Sequence, residues 1–476
     1  MDKIIFCGAG KIGRRMLTLF NEFGMEVNLF IDNSPEKWNS NFCGINVIKP
    51  DDVKHTKNCI FFITCNQEKE IRDKLNSLGI QESYIRKGNT MASMLFFLTV
   101  EQKLRLCAAN TEKTLNKPQK KKAFIDLQKG LVLGGVESWS LQTMKILEKL
   151  GIDTILFTSD LYKHTVKYDK KKVLQLSYSN ESSEKKRLEI CLQRIIDKNP
   201  DIFLCNFISY HFFVAINAKQ EYMRNMKIIV VLHNDEDVYY EGYVTFKDSI
   251  DCCLVISSLM RDKLLRQGFP KDKIIMLPWK IIQNQKCEHK YSSHNEPIRI
   301  GYAGRAVIKQ KRMDLILKVI GRLKELGVRY RLEIAGNGAY IEELKHYIVN
   351  QDLTEQVTLM GYIEQKDIMS FWERQDIMLS CSEWEGHSIS QCEAMAEGVV
   401  PVVTDVSGAR DDIVDGYNGF VRPVGDIEGL TESIIYLYQY RDKLKKMGKN
   451  SFEIIKNKYS SFDDEEFWRK LLEKKL

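Results

Sequence analysis

Apolar residues fall along this chain in short runs. Each is closed by a turn and followed by a stretch with helical spacing. Lys3-Ile4-Ile5-Phe6-Cys7, Val27 to Ile31, Ala123 to Leu127, Ile298 to Ala303 and Asp376 to Ser380 read as strands buried on both faces. Thr154 to Phe157, Ile202 to Asn206, Ile228 to Leu232, Cys253 to Ile256, Leu332 to Ala335 and Val357 to Met360 read the same way. Amphipathic stretches run from Gly13 to Phe23, from Ser138 to Leu150 and from Lys311 through Leu326. Strand, loop, helix and strand in repeated order predict an α/β chain of open parallel sheets.

Ligands of such sheets gather at the carboxyl ends of the strands, where a loop meets a helix N-terminus. The most informative stretch is Ser382 to Gly398, between the runs Asp376 to Ser380 and Val399 to Thr404. It sets Glu385 and Gly386 at a strand end, before a helix whose free N–H groups could face an anion. If Glu385 to Glu393 were helical throughout, the span would be about 12 Å. That is the reach from the sugar of a nucleotide-sugar to its ribose. One carboxylate would hold sugar hydroxyls and the other ribose hydroxyls. Taken alone, two glutamates at this spacing more often mark a solvated helix face.

The residues around them resemble the donor-binding half of GT-B retaining glycosyltransferases of the family 4 type. The resemblance rests on Ser382, Glu385-Gly386, Glu393-Ala394-Met395-Ala396, Gly398 and Pro401-Val402-Val403, followed by Ser407-Gly408 with Asp411 and by Asp415-Gly416-Tyr417-Asn418-Gly419-Phe420. His387-Ser388 stand where the family has F-G, and Ser407 where it has glycine; Ser388 keeps a backbone farther off than glycine would. The resemblance implies two Rossmann-like lobes facing a cleft, at residues 123–290 (acceptor) and 291–456 (donor), with a terminal helix, 457–476, crossing back to the acceptor lobe. It also implies roles. Arg305 and Lys311 clasp the donor diphosphate, Glu385 positions the sugar and Glu393 the ribose. His233, at a strand's carboxyl end, faces the sugar; a lone histidine there is more often structural. Gly134, Gly135, Gly386, His387, Ser388 and Ile389 line the donor, and Tyr362 lies in the loop beside the nucleobase. The family's lysine stands five after the arginine, where this chain has Gln310; Lys311 follows by one, and Lys309 is its rival.

Residues 1–92 read as a third, small Rossmann-like domain. Gly8, Gly10 and Gly13 follow a strand and open a helix, and Asp32 ends the next strand, the arrangement a dinucleotide needs. The module also resembles nucleotide-binding modules of bacterial sugar-modifying enzymes and the N-terminal domain of sugar acyltransferases. NAD or another nucleotide there, a structural role, and an active enzyme stay open. Tyr84 is followed four residues on by Gly88, so no Tyr-x3-Lys pair is present there. Residues 93–122 read as a helix and a linker.

With 44% hydrophobic and 28% charged residues in 476, the chain is composed like a globular protein. Its net charge of +7 is dispersed and accompanied by no nucleic-acid-binding motif. The basic clusters Lys117 with Lys120 to Lys122, and Lys167 with Lys170 to Lys172, could touch anionic lipid or be solvated loops. No apolar run reaches a membrane span, and the start lacks a signal peptide's regions. The twelve cysteines include no C-x-x-C pair, which reads as buried thiols of a cytoplasmic protein, without a metal site. Asp235 and Asp237 form a D-x-D read as loop acids. The expected activity is glycosyl transfer from a nucleotide-diphosphate-sugar to a hydroxyl of a lipid-linked or polysaccharide acceptor, with no cofactor required, in the cytoplasm or peripheral at the inner face of the membrane. A non-catalytic nucleotide-sugar-binding protein, or a bifunctional enzyme, are the alternatives.

Overall fold

The computed structural model describes residues 3–53, 59–81, 84–87, 120–127, 135–159, 169–177, 183–277, 281, 286–459 and 461–475. Three sheets carry them. In the first, β1 (Lys3–Cys7), β2 (Val27–Ile31), β3 (Asn41–Phe42), β4 (Ile45–Ile48), β5 (Cys59–Ile63) and β6 (Ile85–Lys87) lie in the order β3-β4-β2-β1-β5-β6. Four of the pairings are parallel, but β3 and β4 form an antiparallel hairpin. Cys43 and Gly44 make its turn at φ 54° and 87°, the double left-handed geometry that suits a two-residue hairpin. The sheet is therefore mixed, with one antiparallel hairpin at its edge. Phe6, Phe20, Phe30 and Phe62 fill one of its faces edge to face.

The second sheet comprises β7 (Lys122–Asp126), β8 (Asp153–Ser159), β9 (Val173–Leu176), β10 (Ile202–Cys205), β11 (Lys227–Leu232), β12 (Cys252–Val255) and β13 (Ile274–Met276), in the order β13-β12-β11-β10-β7-β8-β9. The third comprises β14 (Ile298–Ala303), β15 (Tyr330–Ala335), β16 (Val357–Gly361), β17 (Ile377–Ser380), β18 (Val400–Thr404) and β19 (Phe420–Arg422), in the order β16-β15-β14-β17-β18-β19. Every pairing in the third is parallel. One face is covered by Ile316, Ile320 and Leu323 of the helix Met313–Glu325, and the other by Phe371, Trp372, Ala394 and Met395. Helices on both faces explain the uninterrupted apolar runs, because such strands have no wet side.

The chain divides into two compact units, residues 1–231 with 241–252 and residues 232–240 with 253–475. Within the first, the helix Lys11–Glu22 is tied to the helix Glu184–Lys198. Arg15 pairs with Glu184 at 3.1 Å, and the Lys185 N–H donates to Glu22. In the third sheet the chain builds β14, β15 and β16 outward, then returns to the other side of β14 for β17. The strand order reverses between β14 and β17, which places the loops leaving both strands at the switch point.

Local expectation and structure part at two places there. The helix expected from Lys311 begins at Met313, because Arg312 is left-handed at φ 49°. For a residue with a Cβ this costs about 1–2 kcal/mol. Arg312 is held by a bidentate pair with Asp314 and a 2.5 Å pair with Glu383. In the second place, only Ile389–Ala396 is helical between Glu385 and Glu393, so residues 385–388 are loop. That helix ends in a Schellman turn: Gly398, at φ 81°, donates to the Met395 carbonyl and Val399 to that of Ala394.

Candidate functional site

Two loops meet at the switch point of the third sheet. From the β14 loop, Lys311 Nζ reaches Glu385 Oε1 at 2.5 Å. Ser382 Oγ donates to the same carboxylate oxygen at 2.6 Å and is itself fully buried. Thr404, at the end of β18, fixes Ser382 by donating to its carbonyl. Gln310, five residues after Arg305, works as a strut. It accepts from Arg305 at 2.5 Å, donates to the Trp384 carbonyl, and accepts the Glu383 N–H at its own carbonyl. Arg305 and Lys311 thus stand on either side of one glutamine, Arg305 exposed and Lys311 half-buried, while Lys309 is exposed. Glu385 is only 8% exposed. A buried carboxylate is stable beside a partner and costly without one.

The next residue explains the glycine. A Cβ on Gly386 would lie 1.9 Å from the His233 carbonyl oxygen and 2.7 Å from Ile256 Cδ1. The Glu385-Gly386 peptide is therefore pressed against the chain leaving β11 and β12. His233 is buried, and burial alone pushes its imidazole down to about 3. It is neutral at physiological pH. Its folded state binds no proton where the unfolded chain would, so this group removes stability as pH falls from about 6.5 toward 3. We expect the His233 resonances in a histidine NMR titration to stay fixed between pH 8 and 5; a midpoint near 6.5 would refute the buried neutral ring.

Both ring nitrogens of His387 are bonded within the protein. Its Nδ1 bonds the Ile256 carbonyl at 2.9 Å and its Nε2 the Asp412 carboxylate at 2.6 Å. Ser388 caps the helix Ile389–Ala396 by accepting from the Gln391 N–H. The hydroxyl at this position thereby does what a glycine could not. Ile389, half-buried, is that helix's first residue, and the first-turn N–H groups of a helix have no partner within it. Glu393 is 8% exposed and accepts from Gln365 at 2.8 Å; burial raises its pKa against the opposing pull of that bond. Tyr362 is 53% exposed. Gly134 lies outside the described residues, and Gly135 is the exposed first residue of the helix Gly135–Lys149.

Asp412 is the residue that sequence reasoning missed. The acid singled out in that loop is its neighbour Asp411, which accepts from the Ser258 N–H at 2.8 Å and from the Ser258 hydroxyl. Two adjacent acids gave no local signal as to which would be buried. The following D-G-x-N-G turn is a structural staple. Asp415 accepts from the Val421 N–H, and Asn418 accepts from Val414 while donating to the Asp412 carbonyl. Asp235 and Asp237 are bridged by Lys263 at 3.1 and 3.0 Å; Asp237 is the first residue of the helix Asp237–Thr245 and not a loop acid as expected.

In the N-terminal domain the glycine turn is built. Gly8 has φ 123°, and a Cβ on Gly13 would lie 2.3 Å from the Gly8 carbonyl, whereas one on Gly10 would meet nothing. Asp32 is spent on the protein itself. It accepts from the Ala9 N–H at 2.8 Å, the Ser34 N–H at 2.9 Å and Lys37 at 3.0 Å. Burial raises its pKa, but these three donors outweigh burial and hold it below the usual range. The residues present do not fit a dinucleotide in the expected way, because the carboxylate meant for a ribose faces its own turn.

The second and third sheets have the GT-B fold of glycosyltransferases, preceded by an N-terminal domain with a mixed sheet. The Anabaena protein Alr3699/HepE, solved in complex with UDP-glucose, superposes with a TM-score of 0.58 at 14% identity, covering 74% of this chain and 99% of that one. Residues 284–454 match the family model described as glycosyl transferases group 1, and residues 1–86 that described as C2185-like, N-terminal. The chain is 25% identical over 223 residues to the capsular polysaccharide biosynthesis glycosyltransferase CapM of Staphylococcus aureus, covering 46% of this chain and 57% of CapM. It is 25% identical over 269 residues to the amylovoran biosynthesis glycosyltransferase AmsK of Erwinia amylovora, covering 53% of this chain and 66% of AmsK. The matches thus span 57% and 66% of these curated relatives. No helix among the described residues is long and apolar enough to cross a membrane.

Proposed function

We propose that this chain is a retaining glycosyltransferase of the family 4 type, moving a sugar from a nucleotide-diphosphate-sugar to a hydroxyl acceptor in bacterial cell-surface polysaccharide synthesis. The observation that carries this reading is the Lys311–Glu385 pair at the switch point, with Arg305 one glutamine away and the helix Ile389–Ala396 opening beside it. The glycosyl transferases group 1 match, the names of CapM and AmsK, and the UDP-glucose held by HepE support the same chemistry.

The reaction breaks the bond from sugar C1 to a phosphate oxygen and forms one from C1 to the acceptor oxygen. The acceptor's proton leaves with the phosphate. Negative charge grows on the departing diphosphate, and fixed charges aimed there form a leading catalytic contribution. Arg305 and Lys311 supply them, aided by the first-turn N–H groups at Ile389. Glu385 holds sugar hydroxyls, Glu393 ribose hydroxyls, and neutral His233 hydrogen-bonds at the reacting face. Tyr362 and the backbone at Gly386 and Ser388 line the donor. No cofactor is needed for this step. The acceptor is a lipid-linked or polysaccharide hydroxyl, met at the inner face of the membrane. Of the basic clusters suited to that surface, Lys172 already pairs with Glu148 at 2.5 Å and Asp153 at 3.5 Å, which weakens its patch.

The test is a panel of UDP-, GDP- and ADP-sugars with cell-envelope acceptors, scored by nucleoside diphosphate released. Acceptor-dependent release from one donor is expected. Binding without release would leave a nucleotide-sugar-binding protein, and neither binding nor release would end the reading.

A further inference from the structure

The His387 ring has an acceptor at each nitrogen. Its Nδ1 meets a carbonyl oxygen, which only accepts, at Ile256. Its Nε2 meets Asp412 Oδ2 at 2.6 Å. The other oxygen of Asp412 already accepts from Lys458 at 2.6 Å and Tyr459 at 2.8 Å, and Cys392 Sγ donates to Oδ2 at 3.3 Å. A carboxylate with so many donors is ionised and accepts only. A neutral imidazole has one N–H. Two acceptors therefore require both nitrogens to be protonated.

We infer that His387 is a positioning residue: an imidazolium that clips the Glu385-Gly386 peptide to the chain leaving β12 and to Asp412, and so fixes where the Glu385 carboxylate stands. The role rests on the reading of Glu385 as the group that holds the donor sugar. Its geometry is tight from every side. Gly386 abuts the His233 carbonyl, and a Cβ on Gly408 would lie 3.0 Å from His387 Cα and 3.1 Å from its ring. Ring and carboxylate are almost wholly buried, at 3% and 0% exposure. Cys392, His387 and Asp412 offer the donor types of a metal site. Here both ring nitrogens are spent as donors, burial pushes the Cys392 thiol up, and Lys458 supplies a further positive charge.

The charged groups facing the ring are Asp412 and Lys458, with Cys392 and Tyr459 as neutral neighbours. Burial pushes the His387 pKa down, but the Asp412 bond and charge and the Ile256 carbonyl outweigh it, so it lies above the ordinary 6.5. A raised histidine contributes stability that is complete below about 6.5 and is lost as pH rises through its folded pKa. Asp412 is lowered: burial opposes this, but the His387 and Lys458 contacts prevail.

The test compares the full chain with His387→Phe, which keeps the ring volume and removes both bonds. In 15N-histidine NMR at pH 7.5 one imidazole should show two protonated nitrogens, absent from the variant. Hydrogen exchange of peptides covering 383–390 should be about tenfold faster in the variant. If the donor reading holds, kcat should fall about tenfold or more, with nucleoside-diphosphate affinity within about twofold. His387→Gln, which can still donate to one acceptor, should recover part of both losses. A singly protonated ring, stoichiometric metal retained after dialysis, or unchanged exchange would overturn the clip. Absence of turnover and nucleotide binding in the parent protein would instead remove the donor reading, leaving the NMR and exchange results to decide the clip.

Discussion

Arg305→Ala is expected to lower turnover by about 10²–10³-fold, the usual loss when one preorganised charge is removed from a developing anion. Its guanidinium is exposed and its described partner is neutral Gln310, so unfolding should be almost unchanged. Lys311→Ala should match that loss of turnover but also cost stability. It leaves Glu385, 8% exposed, with only the Ser382 hydroxyl as a described partner. Breaking such a pair from one side costs about 3–5 kcal/mol. Replacing both charges, as Lys311→Ala with Glu385→Gln, should therefore restore melting temperature without restoring transfer. The measurements are nucleoside-diphosphate release at saturating donor and thermal unfolding of all four proteins. Transfer at near-parental rates in Arg305→Ala and Lys311→Ala together would remove the phosphate clasp. Equal melting temperatures for Lys311→Ala and the double variant would remove the account of the buried pair.

What the chain's order of residues reveals is uneven, for physical reasons. β1 and β2 coincide with their expected ranges: Ile4 to Cys7 of β1 form a wholly buried apolar run, β2 keeps Val27, Phe30 and Ile31 buried around an exposed Asn28, and the turns beside them carry glycine or aspartate. Glu385, Gly386 and Ser382 stand out through local spacing, and the switch point brings them to the β14 loop. The start of the helix after that loop was misplaced by two residues. The left-handed Arg312 depends on Glu383, 71 positions away, and no local propensity encodes such a partner. The partners of the His387 ring are as remote, 131 positions before it and 25 after it. Asp32 shows the opposite error. The spacing of glycines and acid is that of a ribose-binding turn, yet the acid satisfies Ala9 and Lys37. A pattern gives the places of residues and leaves open which partner each one takes.

Gly386→Ala is expected to damage the site as severely as loss of a cation, by a steric route. The added methyl would sit 1.9 Å from the His233 carbonyl oxygen, and neither chain can yield freely. His233 follows directly on β11, and His387, beside the new methyl, is bonded to the Ile256 carbonyl and to Asp412. Relief must come from moving the Glu385 peptide, and displacements near 1 Å cost about 10²-fold in turnover when they fall on a positioning group. Overpacking of this kind costs about 1–3 kcal/mol, or a few degrees of melting temperature for a protein of this size. Gly416 makes the control, since it also has a glycine's backbone, at φ 74°, but a Cβ there meets nothing within 4 Å. Gly416→Ala should lose a little stability from backbone strain and keep its turnover. Release assays and melting curves of both variants give the answer, and full transfer by Gly386→Ala would show that the peptide is not held where Glu385 needs it.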